Sequence, residues 1–262
     1  MSKTGGNELR TEIDGPVGWL QVGRPETRGA LTRAMWLALP GLLRQLAADP
    51  AVRVIVVRGT DGHFIAGADI SEFEEVRADP VLAREYDEGA NETLDTLAGL
   101  DVPTVAMIDG ACIGGGCLVA FGCDLRIASE RARLGIPAGK LGLAYPYKGL
   151  ERLVAVVGEA RALAMTLSGR LADGRAAERQ GLVQYCVADA ELETETRALA
   201  ADIAAHAPLA LRYARLAIRR ATPAALPRAD IDRLADACFE SEDYREGVEA
   251  FLNKRRPRFR GR

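Results

Sequence analysis

The sequence predicts an α/β fold whose strands run parallel and are joined by right-handed crossovers. Three observations carry this. Short strand-like segments rich in apolar residues recur at residues 17–22, 52–57, 104–108, 124–128 and 182–187. Longer stretches with helical spacing of their apolar residues lie between them. Two glycine-containing segments, about fifty residues apart, each sit between a strand-like run and a helix-like stretch.

Taken in order, residues 17–22 form a strand closed by Gly23-Arg24-Pro25. Residues 32–48 place Met35, Leu39, Leu42, Leu43 and Leu46 near helical spacing. Residues 52–57, apolar apart from Arg53, read as a buried strand. Residues 83–100 form a helix ended by Asp101-Val102-Pro103. Residues 104–108 are a strand, after which Gly114-Gly115-Gly116 opens an apolar helix to residue 121. A short strand follows at 124–128, an alanine-rich helix at 149–169 and a last strand at 182–187. From Leu192 onward the pattern is helical, with breaks at Pro208, Pro223 and Pro227.

At 262 residues the chain is long enough for one full core with a small appended region. Its 48% hydrophobic and 27% charged content is that of a soluble globular protein. A net charge of -3 argues against nucleic acid as the main partner. No apolar run reaches membrane-spanning length, and the first ten residues lack a signal region, so no membrane partner and a cytoplasmic location are expected. The five cysteines, Cys112, Cys117, Cys123, Cys186 and Cys238, form no C-x-x-C pair and read as reduced, buried small side chains. His63 and His206 are the only histidines, which excludes a histidine-rich metal site; no metal is expected.

The two glycine segments carry the chemistry. They are Phe64-Ile65-Ala66-Gly67-Ala68-Asp69-Ile70 and Asp109-Gly110-Ala111-Cys112-Ile113-Gly114-Gly115-Gly116-Cys117. Small side chains let a ligand reach main-chain N–H groups, and a helix N-terminus adds positive potential. Two such donors aimed at one point make an oxyanion hole, usually the largest single catalytic term.

In these segments, and in Pro103-x-Val105-Ala106-x-Ile108-x-Gly110, Cys123-Asp124-Leu125-Arg126-Ile127-Ala128, Ala177-x-x-x-Gly181-Leu182-Val183 and Glu246-Gly247-x-x-Ala250-Phe251-x-x-Lys254-Arg255, the chain resembles the crotonase superfamily, the enoyl-CoA hydratase/isomerase family. The likeness runs from Val17 to Phe259, and the joint order and spacing of the motifs make it specific. It implies a spiral of ββα repeats over residues 1–195, which would hold the CoA site, and a helical trimerisation region over residues 196–262. It also implies an acyl-CoA thioester substrate, no separate cofactor because coenzyme A is part of that substrate, and a homotrimer or homohexamer. The oxyanion donors fall on the N–H groups of Ala68 and Gly115. Main-chain atoms of Ala66, Gly67, Ala68, Asp69 and Ile70 are placed along CoA, Lys254 matches a lysine that reaches CoA, and Arg28 is a candidate phosphate contact. Gly29 stands where the family more often has asparagine. Residues 72–88 are the candidate lining of the acyl tunnel.

The same resemblance puts Leu118 and Ala138 at the positions of the two glutamates that hydratases use to hold and deprotonate water. Acid–base groups are each worth about 10²–10⁴ in rate, and neither Leu nor Ala transfers a proton. Non-hydratase enolate chemistry is therefore expected. Tyr145 is the candidate catalytic side chain, on a likeness of Leu141-Gly142-x-x-Tyr145 and the segment 241–247 to the family's methylmalonyl-CoA decarboxylase, which however has histidine at the position of Ala68. Asp69 and Asp124 read as caps or structural acids, Lys140 and Glu151 as surface charges, and His63 as a loop residue. Two alternatives stay open: a hydratase or isomerase with relocated acids, and a non-catalytic acyl-CoA-binding protein.

Overall fold

In the computed structural model, residues 8–220, 239–255 and 257 are described. Strand β1 (Leu9–Asp14) turns at Gly15, φ +56°, into the antiparallel β2 (Val17–Val22). From β2 onward the chain repeats one unit. A strand of the main sheet is followed by a short strand or bridge in a second layer, and then by a helix. In the first unit β2 leads to Leu31, bridged to Ala68, and to α1 (Arg33–Ala48). In the second, β3 (Val54–Gly59) leads to the bridged segment 65–68, then α2 (Phe73–Ala78) and α3 (Pro80–Gly99). In the third, β4 (Thr104–Ile108) leads to β5 (Ala111–Ile113) and α4 (Gly115–Gly122). In the fourth, β6 (Leu125–Ser129) leads to β7 (Arg133–Gly135), α5 (Tyr147–Val157) and α6 (Glu159–Ser168). Then follow β8 (Ala172–Asp173), α7 (Gly174–Arg179), β9 (Tyr185–Val187), α8 (Leu192–Ala204), α9 (Pro208–Arg220) and α10 (Glu242–Leu252). The main sheet has the order β1-β2-β3-β4-β6-β9, parallel from β2 onward, and the second layer the order β5-β7-β8.

From β2 inward both faces of the main sheet are covered, which explains why β2, β3 and β4 are mostly apolar and buried, while the edge strand β1 is polar and exposed. Val17, Trp19, Val54, Val56, Val105 and Ile127 pack with Leu192 and Ala200 of α8. Their alternating neighbours Leu20, Val22, Ile55, Val57, Ala106, Ile108 and Ala128 face the main core with α1, α3 and α4. The period-2 split follows from the pleat. Because α8 completes the outer layer, the expected division after residue 195 falls inside a helix that belongs to the sheet packing.

Helix α9 is tied to the spiral by a charge cluster in which Arg215 is buried and Asp124 and Arg219 are partly buried. Asp124 accepts from Thr104 N and Oγ1 at 2.8 and 2.9 Å, from Arg215 Nε at 2.6 Å and from Arg219 Nη2 at 2.8 Å. Burial pushes its carboxyl up, but the two guanidiniums outweigh burial and hold it below the usual carboxylate range.

Several expectations shift. The strand expected from residue 52 starts at Val54, because Val52 is still in the turn that leads into it. The helix expected over 149–169 is two helices, broken at Gly158 with φ +76° and ψ +164°. The last strand is only Tyr185–Val187, since 182–184 pack as a connection after α7. Pro208 opens α9 at a position that needs no N–H; Pro223, Pro227, Cys238 and Phe259 lie outside the described residues. Cys112, Cys117, Cys123 and Cys186 are buried free thiols. Among the described residues no helix is long and apolar enough to cross a membrane.

Candidate functional site

The two glycine segments meet at the point where the second layer joins α4. Leu31 N donates to Gly67 O at 2.7 Å, and Asp69 N donates to Leu31 O at 2.9 Å. In an extended segment successive N–H groups alternate sides, so the Ala68 N–H between them points away from Leu31. Gly115 is the first residue of α4, where an N–H has no acceptor in the preceding turn. A Cβ placed on Gly115 would lie 3.5 Å from Ala68 N, so the two amides border one small space. Among the described residues neither N–H has a hydrogen-bond acceptor.

Glycine is required for this approach at particular positions. Gly67 has φ +115°, and a Cβ there would stand 2.9 Å from Ile113 O. Gly114 has φ +52° and ψ −109°, a conformation open to glycine alone in practice. A Cβ on Gly116 would collide with Ile65 O.

Both amides open onto a cavity of about 520 Å³. Trp36 of α1, Phe73 of α2 and Tyr86 of α3 form an aromatic wall, with Trp36 Nε1 donating to Tyr86 Oη at 2.8 Å. Leu118 and Ala138 line the cavity, and so do Ala66, Gly67, Ala68, Asp69, Ile70, Gly115 and Tyr145. Among the described residues the carboxylates in the lining are Asp69 and Asp87. Asp69 is held by Arg24 Nη1 at 2.7 Å and by Ser71 N and Oγ at 3.1 and 2.6 Å. Burial pushes the Asp69 carboxyl up, but these hydrogen bonds prevail and keep it below its ordinary value. It is a structural anion that braces the segment carrying Ala68.

Tyr145 sits just before α5. Its hydroxyl donates to Gly114 O at 2.9 Å, and its ring packs where Gly149 and Leu118 leave room. Burial, and after it the neighbouring Cys117 and Cys112, push the phenol well above its ordinary value. The hydroxyl proton is therefore directed at the main chain, not into the cavity.

Helix α10 closes one side of the same chain's cavity. Gly247 lies so near Leu141 O that no side chain fits, and Phe251 and Leu252 join the lining. Lys254 follows two residues later and is exposed; Arg28 is exposed beside the lining residues Thr27 and Ala30, and its carbonyl accepts from Ala66 N at 3.0 Å. Neither cation is itself in the lining. His63 Nδ1 accepts from Ala111 N at 3.2 Å, away from the cavity. Lys140 and Glu151 are exposed, and Glu72 accepts from Arg33 N at the start of α1. Sequence reasoning missed Trp36 as a wall residue. It lies next to Met35 and outside the apolar positions singled out for α1, and nothing local marks which core aromatic borders a cavity.

The chain matches known proteins along almost its whole length. The sequence profile described as enoyl-CoA hydratase/isomerase matches residues 12–262. A Mycobacterium bovis protein named "Probable enoyl-CoA hydratase echA8" is 36% identical over 253 residues, covering 96% of this chain and 97% of its own length. The 2,3-dehydroadipyl-CoA hydratase of Escherichia coli is 35% identical over 246 residues, covering 93% of this chain and 94% of its own. The crystal structure of carnitinyl-CoA hydratase from Mycobacterium avium superposes with a TM-score of 0.84 at 29% identity, covering 97% of this chain and 99% of that one. With the ββα spiral and the paired amides in place, the chain belongs to the enoyl-CoA hydratase/isomerase family.

Proposed function

We propose that the protein binds an acyl-CoA thioester with its carbonyl oxygen between the N–H groups of Ala68 and Gly115, and that it runs enolate chemistry of the decarboxylase type in preference to hydration. One observation carries this reading. The paired amides open onto a cavity whose wall at positions 118 and 138 is Leu and Ala. When a malonyl-type thioester loses CO₂, the electrons of the breaking C–C bond flow into the thioester carbonyl. The enolate forms without a base, its oxygen is met by two preorganised donors, and its α-carbon then takes a proton from solvent. The apolar residues at 118 and 138 add no charge opposing the leaving carboxylate.

A second reading rests on a different observation. Asp87 of α3 also lines the cavity, and several relatives are named as hydratases. A carboxylate there is a candidate relocated acid–base group for hydration or isomerisation.

Arg28 and Lys254 flank lining residues and are proposed contacts for the CoA phosphates, with coenzyme A as part of the substrate and no further cofactor. Assembly into a homotrimer or homohexamer is supported by the apolar residues of α9 left on the surface of the single chain. Leu209, Tyr213 and Ile218 are 77, 76 and 70% exposed.

The test is to incubate purified protein separately with methylmalonyl-CoA and crotonyl-CoA and follow both by mass spectrometry. The reading predicts loss of CO₂ from the first and little water addition to the second. Rapid hydration of crotonyl-CoA favours the Asp87 reading. Tight binding of both with turnover of neither favours a binding protein.

A further inference from the structure

The hydrogen bond from Tyr145 ends on a particular atom. Gly114 O and the Gly115 N–H belong to one planar peptide group, so the group that Tyr145 holds at one end is the group that would hold the thioester oxygen at the other. We propose that Tyr145 is a positioning residue that orients and polarises the Gly114–Gly115 peptide, making Gly115 the stronger and better-aimed donor of the oxyanion pair. The inference rests on the thioester-enolate reading above and adds to it a role for a side chain that need not touch the substrate.

Four observations support it. The Tyr145 Oη to Gly114 O distance is 2.9 Å. Gly114 O also accepts from Leu118 N at 3.1 Å, so the carbonyl has two donors, and hydrogen bonds to a carbonyl strengthen the N–H of the same amide. The Gly114 backbone, at φ +52° and ψ −109°, has no side chain of its own to fix the peptide plane. Finally, the ring is held by its surroundings. It packs against the main core, and a Cβ on Gly149 would stand 2.7 Å from its Cε1. The phenol stays protonated across the ordinary pH range because burial raises its pKa, so the donor does not switch off. The partner amide at Ala68 is braced separately, through Leu31 and the Arg24–Asp69 pair. The two donors therefore have independent supports, and loss of one support leaves the other in place.

The experiment reads the carbonyl directly. Crotonyl-CoA carrying ¹³C at its thioester carbonyl is bound to the wild type, to Tyr145→Phe and to Gly149→Ala, and the carbonyl stretch is recorded by isotope-edited infrared spectroscopy. Tyr145→Phe removes one oxygen and keeps the ring; Gly149→Ala keeps the hydroxyl and displaces it. The wild type should show a clear shift to lower frequency. Both variants should show a smaller shift, a loss of about threefold to tenfold in kcat on the substrate that is turned over, and little change in KM. The melting temperature separates this from a general loss of packing, because a packing role alone lowers stability and leaves the bound carbonyl frequency where it was. A full wild-type shift in both variants overturns the role of Tyr145 while keeping the oxyanion reading. A wild type that binds the thioester with no shift overturns both. Should Tyr145→Phe fail to fold, a full wild-type shift in Gly149→Ala alone overturns the proposal.

Discussion

Replacement of Gly67 by alanine separates the oxyanion account from a purely structural one. Gly67 has φ +115°, and an added Cβ would lie 2.9 Å from Ile113 O and 3.7 Å from Gly115 N. Two costs follow. An alanine held in this sparsely populated region is strained by about 1–3 kcal/mol. In a domain of this size about 1 kcal/mol moves the melting temperature by roughly 2–4 °C, so a fall of roughly 2–12 °C is expected. Relief of the contact also requires the 67–68 segment to move a few tenths of an ångström from residues 113–115, which widens the gap between the two amides. Complete loss of one oxyanion donor costs about 10²–10³ in rate; partial misplacement is expected to cost about tenfold to a hundredfold. Thermal unfolding by circular dichroism gives the first quantity and steady-state turnover of the acyl-CoA gives the second. A variant that melts lower but turns over at the wild-type rate at a temperature where it is folded would refute the claim that this spacing sets activity.

Other expectations follow from the same contacts. Asp124→Asn leaves Arg215 and Arg219 without their carboxylate and should cost about 3–5 kcal/mol in urea unfolding. The folded Asp124 carboxyl lies below its unfolded value, so its stabilisation is present above about pH 4 and is lost as pH falls through the folded pKa. The wild type should therefore show a steeper acid-side loss of melting temperature than Asp124→Asn, and parallel pH curves would contradict this. Introducing Leu118→Glu and Ala138→Glu together should create or raise crotonyl-CoA hydration by about tenfold or more, measured as loss of the enoyl thioester absorbance, with lower stability because Leu118 is buried. Lys254→Ala and Arg28→Ala should each weaken acyl-CoA binding by about threefold to tenfold with a reduced salt dependence; unchanged isothermal titration curves would remove both from the CoA site.

The inner strands of the parallel sheet were readable because they are buried on both faces and show apolar runs with little polar alternation. The run Val54-Ile55-Val56-Val57 needs α8 on one side and α1 on the other, and both are in the sequence. The second layer was not readable. Strands β5, β7 and β8 have two or three residues each, too few for a period, and the bridges at Leu31 and Ile65 are single residues. The paired amides were legible because glycine is costly unless backbone must approach backbone, as at Gly67, Gly114 and Gly116. The target of the Tyr145 hydroxyl was not, since Gly114 lies 31 residues away and the contact depends on how α5 enters beside α4. Trp36 was hidden for a similar reason, and Asp87 was legible only as a member of the 72–88 segment. Their helical periodicity places them on α1 and α3, but only the packing of those helices turns them towards the cavity.

We propose that Ala68 and Gly115 together hold a thioester oxygen over a wall that has no carboxylate at positions 118 and 138. A crystal structure with an unreactive acyl-CoA analogue tests it most directly. The thioester oxygen should lie roughly 2.7–3.1 Å from both amide nitrogens, with the α-carbon facing Leu118, Ala138 and the ring of Tyr145. A thioester oxygen that contacts neither amide, or an acyl group lying outside this cavity, would contradict it.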